Sequence, residues 1–243
     1  MIDSNFLYLS PEQCKMLREK VFELLESYGV KLDPHPQMFK NLKTANLEVD
    51  EDHQIVKFPK PILEKLIEKA PKSFVLKYQN QEKSLRLPRP DGTFYARSGT
   101  GAHGYIDPET GNYRKVTLKD LAQWAHLINQ LDEISFLPYL FANDAPTKTA
   151  DVHALATLLK STPKHIWVQP YSSERVEHLI ALGAAAAGGY KELADNPVIS
   201  MIACSLTPRS FKEMDIQIIL EAAKAGIPIH ACSLPGAGGT APA

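Results

Sequence analysis

Apolar positions fall three and four apart near the start of the chain. Leu17, Val21, Leu24, Leu25 and Tyr28 predict one face of a helix. Ser10-Pro11-Glu12-Gln13 supplies its start, with Ser10 as cap, Pro11 at the first helical position and Gln13 closing a capping box. Gly29 supplies its stop. The same reading predicts short helices over 36–42 and 61–70, the second halted by Pro71. Short β-prone runs lie around them, at 54–58, 74–76 and 84–87. Residues 1–92 are therefore expected to form a helical cap with short strands.

From Thr93 the pattern changes. A strand is expected over 93–96, and Tyr105-Ile106 and Tyr113–Val116 flank Asp107-Pro108-Glu109-Thr110-Gly111-Asn112 as a hairpin. Thr117 and Asp120 form a second capping box, opening a helix to about Gln130. Continuous apolar strands at 134–140, 165–168, 198–203 and 227–232 then alternate with helices at 150–159, 173–187 and from Ser210, where Glu213 fills the box position, to Gly226. The strands recur at roughly thirty residues, the size of a βα repeat. Strands apolar on both faces belong to a parallel sheet covered on both sides. Alternation of this kind admits a doubly wound sheet or a (β/α)8 barrel. Small and polar residues at the strand ends favour the α/β class with a (β/α)8 TIM-type barrel over residues 93–243. About five of its eight strands are present. The chain stops at PGAGGTAPA, in a loop after a buried strand, so a fragment or early-terminated product of a longer protein is expected.

Composition narrows the partners. The 243 residues carry a formal net charge of -1, which gives no footprint for nucleic acid or an acidic membrane. No apolar run reaches the ~18 residues of a membrane span. The start lacks a basic region followed by an apolar one. Cys14, Cys204 and Cys232 are scattered and odd in number, which fits a reducing cytoplasm.

Gly99, Gly101 and Gly104 in SGTGAHGYID spell G-x-G-x-x-G. A dinucleotide fingerprint needs a helix opening within the glycines to meet the pyrophosphate. Here a hairpin follows, so the glycines are read as a tight exit from a strand that passes close to other backbone. A second glycine stretch, Gly236-Ala237-Gly238-Gly239, follows the last strand and would let a bulky ligand approach the main chain. Polar candidates at strand ends are Ser98, Thr100, Asn143, Asp144, Gln169, Ser205, Thr207 and Ser233. Tyr95, Trp167 and Tyr171 offer aromatic faces for a quaternary ammonium ion. Asp151 and His153 open a helix, where an acid favours the dipole. His230 and Cys232 share a strand face and Cys204 ends the neighbouring strand, an alternative donor set for zinc. There is no G-x-S-x-G elbow and no lysine ending an apolar strand, so covalent catalysis has no support.

Four blocks together resemble the trimethylamine methyltransferase family: ESYGVKLD, SGTGAHGYIDPETGNYRKVT, TADVHALATLLKSTPKHIWVQP, and NPVISMIACSLTPRSF with the closing LPGAGGTAPA. The resemblance spans nearly the whole chain and implies a (β/α)8 barrel about twice this length. It implies transfer of a methyl group from a tertiary or quaternary amine, such as trimethylamine or glycine betaine, to the Co(I) corrinoid (cobalamin) of a partner protein. No cofactor is then bound tightly by the chain itself. In pyrrolysine-containing members that residue lies beyond the stretch matching GAGGTAPA. The expected partners are a cognate corrinoid protein, a small methylated amine and, at full length, further copies of the chain, with no nucleic acid and no membrane. Tyr95, Thr100, Gln169, Ser205, Gly236, Gly238 and Gly239 are expected to line the substrate and corrinoid mouth. The competing expectations are a zinc-thiolate barrel methyltransferase using Cys204, His230 and Cys232, and an inactive remnant or interaction module.

Overall fold

The computed structural model describes residues 9–80, 83–232, 236 and 238. Their contacts fall into two compact units. One takes the described residues up to Lys72, Cys204–Ile216 and those from Ala231 on; the other takes Ser73–Ala203 and Gln217–His230.

The first unit opens with α1 (Pro11–Ser27), started by the expected reciprocal bonds between Ser10 and Gln13. Gly29 follows at φ +66°, where a Cβ would run into the Val56 carbonyl. Of the apolar residues on α1 only Phe22 is buried, while Leu17, Val21, Leu24 and Tyr28 stay exposed. The spacing thus marks a helix but not a covered face. β1 (Val30–Leu32), α2 (Pro36–Thr44), β2 (Glu48–Asp50), β3 (Ile55–Lys57) and α3 (Lys60–Lys69) come next. β3 pairs antiparallel with both β1 and β2. Only β3 was expected from the sequence, because three residues of alternation, as in β1 and β2, are too few to stand out from chance.

The second unit begins with β4 (Phe74–Lys77) and β5 (Ser84–Leu87), an antiparallel pair. It groups with the parallel strands although its sequence reads with the N-terminal region. β6 (Ala96–Arg97) is shorter and later than expected. β7 (Gly104–Ile106) and β8 (Tyr113–Lys115) form the expected hairpin. A Cβ on Gly104 would meet the Arg114 carbonyl and the Tyr113 ring, so the glycine is needed for close approach rather than for a pyrophosphate.

α4 (Leu118–Asn129) starts with the Thr117–Asp120 box. Asp120 also takes a two-pronged contact from Arg114, at 2.7 and 2.8 Å, and a bond from the Tyr105 hydroxyl at 2.9 Å, which ties the hairpin to the helix. At the other end of α4, buried Lys164 donates to the carbonyls of Ile128, Leu131 and Ile134 at 2.7, 2.7 and 2.6 Å. A cation there satisfies orphan carbonyls and opposes the helix dipole.

β9 (Ile134–Pro138), α5 (Ala150–Ser161), β10 (His165–Val168), α6 (Val176–Ala187), α7 (Tyr190–Asp195) and β11 (Ile199–Cys204) continue the alternation. β6, β9, β10 and β11 pair in parallel. Leu137, Ile166, Val168, Ile199 and Met201 are fully buried, as strands covered on both faces require. Gly183 on α6 faces Ile199, whose side chain leaves no room for a Cβ there.

β12 (Ser210–Phe211) returns to the first unit and pairs parallel with β1. Ser210 is therefore extended chain and not the expected helix cap. The next helix is α8 (Glu213–Ala225), and the Glu213 amide bonds Asp33 Oδ2 at 3.1 Å instead. β13 (Ile229–Cys232) lies beside β11, giving the sheet order β13-β11-β10-β9-β6. The described residues thus have an α/β fold with five strands in this sheet.

Candidate functional site

The loops leaving β6, β9 and β10 meet at the C-terminal edge of the sheet. Thr100, Pro138, Tyr139, Trp167, Gln169 and Tyr171 line a crevice there with a volume of about 10 Å³, room for about one water molecule. Aromatic side chains fill the space beside it. Tyr171 stacks on Phe141 at 4.7 Å and meets Tyr139 edge-on at 5.8 Å, and His103 stacks on Phe141 at 4.1 Å. The Tyr139 hydroxyl donates to the Gln169 carbonyl, and burial pushes its pKa up, so it stays a donor.

Polar side chains hold these loops in place. Asp151, fully buried, accepts from the Tyr171 amide at 2.9 Å and from Arg175 Nε at 3.1 Å. It sets the backbone that carries Tyr171. The Asn143 side-chain amide bonds the carbonyls of His103 and Val116 at 2.9 and 3.0 Å, and Asp144 accepts from the Leu118 amide at 2.8 Å. Asn143 and Asp144, both exposed, therefore tie the glycine loop and α4.

A polar chain crosses the apolar strands. His165 Nδ1 lies 3.1 and 3.3 Å from the carbonyls of Pro197 and Lys77. Its Nε2 is 2.7 Å from Ser200 Oγ, which is 2.8 Å from His230 Nε2. Carbonyls only accept, so His165 carries its proton on Nδ1 and its Nε2 accepts the Ser200 hydroxyl. Ser200 has then used its one proton, and His230 must donate from Nε2. The network assigns both tautomers. Burial lowers His165 to about 3; burial, followed by the charge of Arg97, lowers His230 to about 4. Both rings are neutral near pH 7, and among the described residues His230 Nδ1 has no hydrogen-bond partner.

The structure gathers some expected site residues and separates others. Thr100 and Gln169 share the crevice. Tyr95 precedes β6 and lines a groove with Tyr78, Asp132 and Ser135 at the opposite end of the strands, with Arg89 over its ring at 4.9 Å. Trp167 belongs to the crevice, but Arg97 lies over its ring at 4.4 Å, so the protein's own cation occupies a face expected to take an ammonium. Ser205 follows β11 and is half-buried in the first unit. Gly236 and Gly238 are exposed. Gly239 and Ser233 lie outside the described residues.

The zinc set does not assemble. Burial, followed by the neighbouring Cys232, pushes the Cys204 thiol up, and His230 faces Ser200. No group of three metal-ligating side chains forms among the described residues. Sequence reasoning missed Arg97, His165 and Ser200. The signal for the last two was a polar residue set within a continuously apolar strand, which needs a buried partner.

The family model described as trimethylamine methyltransferase (MTTB) matches residues 2–243. The trimethylamine methyltransferase MttB of Desulfitobacterium hafniense (strain DSM 10664 / DCB-2) is 27% identical over 232 residues, covering 95% of this chain and 46% of that protein. That of Methanosarcina thermophila is 28% identical over 236 residues, covering 95% and 48%. The glycine betaine methyltransferase of Desulfitobacterium hafniense (strain Y51) is 24% identical over 237 residues, covering 97% and 48%. The chain spans about half the length of the curated relatives it matches. The crystal structure of the Methanosarcina barkeri monomethylamine methyltransferase (MtmB) is similar in fold, with a TM-score of 0.53 at 14% identity, over 90% of this chain and 50% of that one.

Proposed function

The chain belongs to the trimethylamine methyltransferase family, and from that premise we propose that it forms part of an enzyme moving a methyl group from a methylated amine to the Co(I) corrinoid of a partner protein. Its five-stranded sheet is then part of a (β/α)8 barrel, and the crevice at the C-terminal edge lies at the mouth. The observation that carries this reading is the meeting of Thr100 and Gln169 with Tyr139, Trp167 and Tyr171 at the ends of parallel strands, where barrel enzymes keep their sites.

A quaternary ammonium that loses a methyl group leaves as a neutral tertiary amine and needs no acid. The work left to this chain is positioning and exclusion of water. The rigid stack of Tyr171, Phe141 and His103, seated on Asp151 and Asn143, suits that work, because its rings are fixed before a substrate arrives.

Methyl transfer from a panel of methylated amines to a corrinoid protein tests the proposal. Activity with at least one amine is expected, and Gln169→Ala is expected to lower kcat/KM by about tenfold or more. No transfer with any amine, or an unchanged kcat/KM in Gln169→Ala, overturns it.

A further inference from the structure

We propose that Cys204 and Cys232, the last residues of the neighbouring strands β11 and β13, are a redox pair that a hydroperoxide converts to a reversible disulfide. Its chemistry is independent of the methyl-transfer reading above.

The two cysteines lie 28 residues apart in sequence and are brought together by strand register. β11 and β13 are adjacent in the sheet. They run in the same direction, since Ser200 meets His230 near their starts and the cysteines are neighbours at their ends. The Met201 amide bonds the Pro228 carbonyl at 3.0 Å. In a parallel pair that bond sets Met201 against Ile229. Three residues further along each strand, Cys204 stands against Cys232, with both side chains on one face. Neighbouring strands lie about 4.8 Å apart, within the Cα separations of about 4.4–6.8 Å that disulfides span. Both thiols are half-buried, so a small oxidant can reach them, whereas Cys14 is exposed on α1 and has no part in the pair.

The surroundings divide the labour between the two sulfurs. Burial, followed by Cys232, pushes the Cys204 thiol up to about 11, so Cys204 keeps its proton near neutral pH. The first attack therefore falls to Cys232. Its thiolate takes the distal oxygen of the hydroperoxide, the O–O bond breaks, and water or an alcohol leaves once protonated. Cys232 is then a sulfenic acid. The Cys204 sulfur attacks the Cys232 sulfur and gives up its proton, the S–O bond breaks, and water leaves. The two sulfurs together lose two electrons, and the peroxide gains them. A dithiol reverses the change by exchange, and is itself oxidised. The Cys204 amide bonds Asp215 Oδ1 at 2.8 Å, which holds the backbone of the resolving residue in place.

Peroxide treatment of the chain, followed by labelling with N-ethylmaleimide and mass mapping of peptides, is the test. With hydrogen peroxide equimolar to the chain, Cys14 is expected to stay labelled, while Cys204 and Cys232 lose their label and appear in one linked pair of peptides. Dithiothreitol is expected to restore labelling at both. Cys204→Ser is expected to leave Cys232 as a sulfenic acid that dimedone captures, and Cys232→Ser to leave Cys204 a free thiol. The linked pair is read in the unaltered chain, so it does not depend on how either variant folds. Labelling of Cys204 and Cys232 undiminished by peroxide overturns the proposal, as does a disulfide that joins only Cys14 residues of two chains. Dimedone capture on Cys204 in Cys232→Ser, equal to that on Cys232 in Cys204→Ser, overturns the order of attack.

Discussion

Ser200 sits near the start of β11, fully buried, with a histidine on each side. Its hydroxyl donates to one ring and accepts from the other, so its removal leaves an acceptor and a donor unpaired in the sheet. Ser200→Ala is therefore expected to destabilise the second unit by about 1–3 kcal/mol, the range for orphaned buried groups. Urea unfolding followed by tryptophan fluorescence measures this, and a loss under about 0.5 kcal/mol would refute the assigned relay. At this scale the sequence was legible in placing residues past strand ends, as for Thr100 and Gln169, which share the crevice. It was not legible for Arg97, because an arginine ending a short strand is ordinary and the ring it stacks on belongs to another strand. Tyr95 misled for the complementary reason. An aromatic two residues from Arg97 reads as part of the same site, yet it stands before the strand and its neighbour stands at the strand's end.

Elements were legible where their signals are local. The boxes at Ser10 and Thr117 each need four consecutive residues, and both form. Ser210 and Glu213 have the same spacing, yet the backbone there pairs with β1, some 180 residues earlier in the chain. A ladder with a remote partner overrode a local cap, and no window of a few residues could have shown it. Glycines sort in the same way. Gly183 permits α6 to approach β11 at Ile199, so Gly183→Ala is expected to overpack this contact and cost about 1–3 kcal/mol. Gly99 has nothing within 4 Å of the place a Cβ would take, and Gly99→Ala is expected to shift stability by under ~0.5 kcal/mol. Thermal melts of the two variants decide between this and a reading in which both glycines matter alike. Equal shifts would refute it.

The two units carry different titrating groups, and that gives the whole molecule a pH dependence with a known address. His165, His230 and Asp120 all belong to the second unit, as do Trp124 and Trp167, the chain's two tryptophans. The histidines sit at about 3 and about 4 in the folded state, below their ordinary value near 6.5. As pH falls below about 6.5 the unfolded chain takes up protons that the folded chain refuses. Stability is then lost at up to about 1.4 kcal/mol per pH unit for each histidine, until the folded rings titrate. Asp120 acts in the same direction at lower pH. The Arg114 guanidinium holds its carboxyl far below the usual range, so its contribution is present above the ordinary carboxylate pKa and fades as the solution becomes more acid. Fluorescence-detected urea midpoints should therefore fall steadily between pH 7 and pH 5, before carboxylates titrate in bulk. Replacing His165 by glutamine, which cannot gain a charge, should flatten part of that slope even where it lowers the midpoint itself. A midpoint constant from pH 7 to pH 5 in the unaltered chain would mean that the rings accept protons in the folded state. The carbonyl–His165–Ser200–His230 chain would then not be the hydrogen-bond sequence that fixes their tautomers.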